Sequence, residues 1–311
     1  MKPFDVKPHE EGVTLLKWLK ANHPHITRGL MEKGIRKGWI KVDRKKPSTN
    51  MKLAGGQVVS LAEYLCEMEV SKVNHQPSNV NDAGRFRDMI IFENDELVAI
   101  NKPPGLAVQG GSGQKTSVDQ LAQSMATDAM RPRLVHRLDK DTSGVLVLAK
   151  TAKAATRLTK LFASKEIEKQ YTALVIGVPK PRRGQIDMPL MKSLKGKDSG
   201  MEKVGVDEEG KDAITRYEVT HTAAQKYAWV DLYPITGRTH QLRVHMAEIR
   251  HPIVGDGKYG GKEAFRAGDN LDKRLHLHAA SITLPKASGK GLTITASLPK
   301  HMQKSWELLG A

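Results

Sequence analysis

Apolar residues recur along the chain at two different periods, and the changes of period outline its elements. From Gly12, the apolar positions Val13, Leu15, Leu16 and Leu19 fall on one side of a short amphipathic helix. His23-Pro24 breaks it. A second helix is expected from Thr27, an N-cap candidate, to about Lys37, stopped by Gly38. Trp39 to Val42 then alternates as a half-buried strand, Asp43 to Ser48 forms a basic turn, and Gln57 to Leu61 gives a second strand after Gly55-Gly56. Two helices with a small hairpin sheet result. Met68 to Asp88, rich in Asn, Ser and Asp and without a sustained apolar period, reads as a linker.

The larger remainder alternates short strands with helices. Met89 to Ile100 holds two β-like runs around an acidic turn, and Asn101 to Gly105 ends the second. Ser117 to Met130 is helix-like, Val145 to Ala149 is an apolar strand, and Thr151 caps a helix with Ala154, Ala155, Leu158, Leu161 and Phe162 on one face. Tyr171 to Gly177 is another buried strand, whereas Pro179 to Lys211 is polar and loop-rich. Arg216 to Thr220 and Ala228 to Ile235 form an antiparallel pair. Thr236 to Thr239 then turns into a helix that faces Leu242, Met246 and Ile249 inward. The fold class is therefore α+β. Domains are expected at residues 1–67 and 89–311, joined by a linker over 68–88.

Composition adds a partner. Lysine and arginine exceed aspartate and glutamate by 50 to 34, a formal charge of +16, which fits a polyanion. Residues 1–62 carry ten lysines and three arginines against two aspartates and three glutamates, so 13 − 5 = +8, half of that net charge. This concentration predicts a phosphate-binding surface. Cys66 is the one cysteine of the sequence, so no internal disulfide is expected, and it reads as a packing residue in a reducing compartment. There is no apolar leader and no run of eighteen apolar residues, so the expected location is cytoplasmic, with no membrane partner.

Candidate chemistry concentrates in Arg133 to Lys150. There the polar cluster His136 to Asp141 runs through Thr142-Ser143-Gly144 into the apolar strand. Asp139 and Asp141 raise the question of a carboxylate pair, but in Asp141-Thr142-Ser143-Gly144 the second fits turn formation better. Arg238, His240, Gln241 and Arg243 gather about the first turn of a helix. Arginines there oppose the macrodipole, which implies a carboxylate or phosphate partner. Gln109 to Thr116 matches neither of the common phosphate-loop spacings. The histidines His240, His245, His251, His276 and His278 lack a thiolate or HExxH companion, so they read as hydrogen-bonded structural groups and no metal is expected.

Together these segments resemble the RluA-type family of RNA pseudouridine synthases. The resemblance rests on His136-Arg137-Leu138-Asp139 with Thr142-Ser143-Gly144, on Lys169-Gln170-Tyr171 with Ala173 and Gly177, and on Gly237-Arg238-Thr239-His240-Gln241-Leu242-Arg243-Val244-His245. His251 to Asp256, Tyr259-Gly260 and Leu277-His278-Ala279 support it. Asn101-Lys102-Pro103 and the Val108 to Gly113 loop look most like the RluC members of the RluC and RluD subgroup, which act on large-subunit (23S) ribosomal RNA. Arg250 departs from the small residue more usual in the family. Leu15-Leu16, Arg28, Ile35-Arg36-Lys37-Gly38, Ile40-Lys41-Val42, Leu53 and Gly55 to Val59 are similar to an S4-type RNA-binding domain.

The resemblance implies a mixed, mainly antiparallel catalytic sheet, no cofactor, and a monomer acting on ribosomal RNA. It also implies roles. Asp139 would be the catalytic carboxylate, Arg243 its ion-pair partner, Tyr171 the residue stacking on the target base and Leu242 an apolar wall. Arg137 would enter the gap left by a flipped-out uridine. Arg238 and His240, with Arg28, Arg36 and Lys37 of the small domain, would contact RNA. The competing expectation is a non-catalytic ribosome-binding or assembly factor with the same fold, against which the set Asp139, Tyr171 and Arg243 argues.

Overall fold

The computed structural model describes residues 1–23, 25–67, 80–110, 116–127, 132–193, 203–265, 270–285 and 291–310. Two compact units divide the chain, Met1–Pro77 and Ser78–Ala311.

In the first unit, α1 (Leu15–Asn22) and α2 (Arg28–Lys37) start on Thr14 and Thr27, whose hydroxyls accept backbone N–H bonds from Lys17 and Leu30. Gly38 ends α2 in the left-handed conformation at φ 73°. Strand β1 (Lys2–Asp5) joins β2 (Ile40–Val42) and β3 (Val58–Leu61) in an antiparallel sheet of order β1-β3-β2. The hairpin is therefore a three-stranded sheet. Its third strand, Lys2-Pro3-Phe4-Asp5, buries none of its residues fully, so no alternation announces it. Leu15, Trp18 and Leu19 of α1 and Met31 and Ile35 of α2 pack with Ile40, Val59 and Leu61. Each such fully buried side chain contributes roughly 1.5–3 kcal/mol. A short helix, α3 (Glu63–Glu67), follows the sheet, and Cys66 packs half-buried against the same core.

The second unit begins earlier than expected. Residues 68–79 of the anticipated linker lie outside the described residues, but Val80–Arg87 form α4, whose Phe86 is 1% exposed in the core beside α5 (Val118–Gln123). One large apolar side chain in an otherwise polar helix is a weak sequence signal. α5 itself is shorter than the Ser117 to Met130 pattern, and residues 128–131 of that pattern are not among those described.

Among the described residues, ten strands make the large sheet. They are β4 (Ile90–Glu93), β5 (Leu97–Lys102), β6 (Arg133–Leu134), β7 (Ser143–Ala149), β8 (Glu168–Ile176), β9 (Arg183–Asp187), β12 (Ile214–Ala223), β13 (Tyr227–Pro234), β14 (Leu277–Leu284) and β15 (Leu292–Thr295). The order is β4-β5-β7-β14-β8-β13-β12-β9, with β6 on β7 and β15 on β14. Its pairings are antiparallel except that of β7 with β14. β10 (Leu190–Ser193) and β11 (Lys203–Val206) form a separate hairpin. Strands β9 to β11 correct the reading of Pro179 to Lys211 as loop, since short strands with few buried apolar positions look polar in sequence.

All seven residues of β7 are buried because both faces of the sheet are covered there. Leu146 and Leu148 pack with Phe86, Val118 and Leu121. Val145, Val147 and Ala149 pack instead with Ala154 and Leu158 of α6 (Ala152–Ala163). At its start, Ser143 and Gly144 belong to the strand rather than to a turn, paired with His278 and Ala279. Gly144 has φ 110°, and a Cβ on it would lie 2.2 Å from the Ala279 carbonyl oxygen, so no larger residue fits. Ala279 in turn sits opposite Tyr171 of β8, so β14 fixes the spacing between the strand behind Asp139 and the strand bearing Tyr171. Two helices, α7 (Gln241–Glu248) and α8 (Lys300–Leu308), complete the unit.

Candidate active site

Asp139 stands in the loop that leads into β7, and neighbours on both sides hold that loop. Leu138 is buried in the core. The His136 ring stacks on Phe162 at 4.1 Å, and its Nε2 accepts the Val147 N–H at 2.9 Å, so the neutral ring carries its proton on Nδ1. Burial, aided by Lys169, pushes the His136 pKa down to about 3. Beyond Asp139, the Lys140 carbonyl accepts from the Lys102 ammonium at 2.9 Å and from the Gly105 N–H at 3.0 Å. Lys102 is fully buried and also donates to the carbonyls of Pro103 and Leu106 at 3.0 and 2.9 Å, matching its three N–H groups to three acceptors. Burial lowers its pKa to about 7, with Asp141 and Asp139 acting in the opposite sense.

The side chain of Asp139 opens into two cavities of about 590 and 300 Å³, and Arg137, Leu138, His240 and Arg243 border both. The larger gathers Arg137, Lys140, Lys258, Lys273 and Arg274 with Asp141. The smaller is bounded by Tyr171, Leu242, Leu277, Phe162 and Arg238. Tyr171 is half-buried, and burial followed by the charge of Asp139 raises the pKa of its phenol, so the ring stays neutral. Arg137 is exposed at the rim.

The opposite wall is the start of α7. Gln241 ties it to β12: its Oε1 accepts from the Thr236 hydroxyl at 2.7 Å and the Arg238 N–H at 3.0 Å, and its Nε2 donates to the Ile214 carbonyl and the Thr215 hydroxyl, each at 3.0 Å. His240, the N-cap, has φ 55°. Its Nε2 lies 3.8 Å from Asp139 Oδ1 and its Nδ1 lies 2.6 Å from the Tyr259 hydroxyl. Arg238 is exposed and donates through Nε to the Asp212 carbonyl at 2.9 Å.

Arg243 requires a correction. Its guanidinium forms a two-pronged pair with Asp256, Nε to Oδ2 at 2.8 Å and Nη2 to Oδ1 at 2.7 Å, and not with Asp139. Asp256, 1% exposed, also accepts the backbone N–H groups of Lys258 and Tyr259. Two hydrogen bonds at near-ideal length outweigh a longer-range attraction, so Asp139 contributes to the field around Arg243 without being its partner. The carboxylate implied by an arginine at a helix start is thus Asp256. Gly255, at φ 80° and within 2.0 Å of the Arg274 carbonyl oxygen for a built Cβ, delivers it.

Arg28, Arg36 and Lys37 are exposed on α2 in the other unit, with Arg28 engaged by Glu32 at 2.9 Å. The histidines behave as structural groups: His245 bonds Thr215 and the Met188 carbonyl, His251 the Ile176 carbonyl, His276 Ser305, and His278 Ser143.

Comparison with known proteins places this geometry. Residues 96–248 match the family model described as RNA pseudouridylate synthase. The chain is 39% identical to RNA pseudouridine synthase 4, mitochondrial, of Arabidopsis thaliana, over 95% of this chain and 79% of that one. It is 34% identical to ribosomal large subunit pseudouridine synthase C of Vibrio vulnificus, over 96% and 94% of the two chains. The chain belongs to the RNA pseudouridine synthase family. It is an RluA-type, RluC-like isomerase. Among solved structures, the human RNA Pseudouridylate Synthase Domain Containing 4 matches with a TM-score of 0.62 at 30% identity, covering 74% of the synthase and 97% of that chain.

The matched region contains Asp139, Tyr171 and Arg243 but ends before Asp256 and Tyr259. Sequence reasoning left without a role Lys258, Lys273 and Arg274, which line the larger cavity, and Asp256, Tyr259 and Lys102, which hold Arg243, His240 and the Asp139 loop from behind. Asp256 was visible within the His251 to Asp256 segment and Lys102 within Asn101-Lys102-Pro103, but neither partner could be read from spacing.

Proposed function

We propose that the synthase converts specific uridines of large-subunit ribosomal RNA to pseudouridine, with Asp139 as the catalytic carboxylate acting on a uridine extruded from its stack. The reaction breaks the bond between N1 and C1′, turns the base, joins C5 to C1′, releases the C5 proton and leaves N1 carrying a proton in its place, so that product and substrate are isomers. It exchanges no electrons and adds no group, so the protein's own side chains suffice, without cofactor or metal.

The observation that carries the reading is the position of Asp139 where a basic cavity meets one walled by an aromatic ring. Phosphates favour the lysine- and arginine-rich side. A flat base favours the side formed by Tyr171 and Leu242. Extrusion costs a few kcal/mol, offset by stacking on Tyr171 and by Arg137 filling the vacated space. Arg243, fixed by Asp256, keeps positive charge near the carboxylate and limits the cost of burying it. Arg238 supplies a further phosphate contact at the rim.

Residues 1–67 serve as an S4-type RNA-binding domain, with Arg28, Arg36 and Lys37 on the phosphate backbone, and the protein works as a monomer in the cytoplasm. Relatives named for the large ribosomal subunit support the choice of RNA. Mapping pseudouridines in ribosomal RNA from cells lacking this protein tests it. Loss of particular large-subunit sites is expected, and an unchanged large-subunit map would refute the substrate.

A further inference from the structure

We propose that His240 is a positioning residue, which donates from its Nε2–H to Oδ1 of Asp139 and is held in the required tautomer by the Tyr259 hydroxyl. The proposal rests on the reading of Asp139 as the reacting carboxylate. It replaces the expectation that His240 contacts RNA.

The left-handed backbone of His240 at the N-cap of α7 turns its ring out of the helix, between Asp139 and Tyr259. A contact of 2.6 Å between Nδ1 and the phenol needs one proton, and two arrangements provide it. In the first the phenol donates to an Nδ1 lone pair, and in the second Nδ1–H donates to the phenol oxygen. The surroundings select the first. The phenol oxygen already receives the Val204 N–H, at 3.4 Å. Burial raises the pKa of Tyr259, so its proton is retained and available to donate.

With Nδ1 serving as an acceptor, the neutral ring carries its proton on Nε2, the atom facing Asp139. The opposite tautomer would aim a lone pair at a carboxylate oxygen. The imidazolium is opposed first by burial and then by Arg243 on the same helix and Lys258 beyond it, while Asp139 and Asp256 favour it; the pKa is lowered.

At 3.8 Å the Nε2 to Oδ1 contact is about 1 Å longer than a hydrogen bond, a gap of the size that catalytic contacts close when substrate binds. Closure would fix one carboxylate oxygen and leave Oδ2 for the substrate. The proton stays on His240 throughout. Tyr259 is well placed to hold such a tautomer, because its ring lies under the Arg243 guanidinium at 5.1 Å and packs against the Leu190, Val204 and Val244 cluster.

The test uses the full-length protein and large-subunit ribosomal RNA from cells that lack it, in single-turnover assays at increasing enzyme concentration. The chains compared are wild type, His240→Ala, His240→Gln, Tyr259→Phe and Asp139→Asn. His240→Ala should lower the saturating rate by about 10- to 100-fold, the scale expected when a reacting group is misaimed. Its half-saturating concentration should change less than about twofold. His240→Gln, whose amide N–H reaches toward the place of Nε2, should recover much of the rate.

Tyr259→Phe keeps the ring but frees Nδ1. Its rate relative to wild type should climb as pH falls from about 6.5 toward about 5, because the His240 pKa lies below the ordinary histidine value and protonation there restores an N–H at Nε2. A merely structural loss would leave that ratio flat. An unchanged saturating rate in His240→Ala, a defect confined to half-saturation, or a pH-independent Tyr259→Phe ratio would each overturn the proposal. If His240→Ala does not fold, His240→Gln and Tyr259→Phe decide alone. An active Asp139→Asn would defeat the parent reading instead. An inert Asp139→Asn beside a fully active His240→Ala would defeat this inference only.

Discussion

Arg243 and Asp256 face each other in the wall of the cleft through two parallel hydrogen bonds, 2.8 and 2.7 Å long, with the carboxylate almost wholly buried. Asp256→Ala would leave a buried guanidinium without its partner, a loss of about 3–5 kcal/mol in similar cases. Urea denaturation should show a lower midpoint of this order. A midpoint within error of wild type would mean that Arg243 finds another carboxylate, Asp139 being the one besides Asp256 that acts on its charge.

Lys102 clamps the loop of Asp139 from behind. Lys102→Met preserves the stem but leaves the carbonyls of Pro103, Leu106 and Lys140 short of a donor, so stability should fall by about 1–3 kcal/mol. The saturating catalytic rate should fall with it, because Lys140 adjoins Asp139. Stability and rate measured on the same preparation check both parts.

Acid should weaken the fold before it protonates the buried histidines. Burial lowers His276 from 6.5 to about 4 and His136 to about 3. Below about 6.5 the unfolded chain takes up these protons while the folded one does not, so stability present at neutral pH is lost as pH falls toward 4. Each group contributes at most about 1.4 kcal/mol per pH unit. Urea midpoints between about pH 7 and pH 5 should decline. His276→Gln should show a shallower decline.

Much of this architecture is written plainly in the chain. Thr27, Gly38 and Thr151 mark helix ends that the structure keeps, and the unbroken apolar run before Lys150 identifies a strand covered on both faces. Strand β1 and the helix carrying Phe86 were not legible, since neither has enough buried apolar positions to create a period. Asp139, Tyr171 and the α7 residues were recognisable as motif positions, and the fold brings them around one cleft. The partner of Arg243 was not, because a pairing between two segments is a tertiary fact and Asp139 and Asp256 are equally eligible carboxylates in sequence. Lys102 was hidden for a related reason: a lysine reads as surface unless three carbonyls converge on it.

On the proposed function, the basic face of α2 bears on affinity rather than chemistry. Replacing Arg28, Arg36 and Lys37 together by alanine should weaken RNA binding and reduce the slope of log affinity against log salt by about 2, since each phosphate contact contributes roughly 0.7–0.9. The saturating rate should hold. An unaltered slope would place the RNA anchor elsewhere.

Asp139→Asn tests the central claim most directly. The substitution keeps the shape and removes the charge, so pseudouridine formation in large-subunit ribosomal RNA should vanish while RNA affinity stays within about twofold, the base and phosphate contacts being intact. Pseudouridine formed by the purified variant at the wild-type rate would contradict the account.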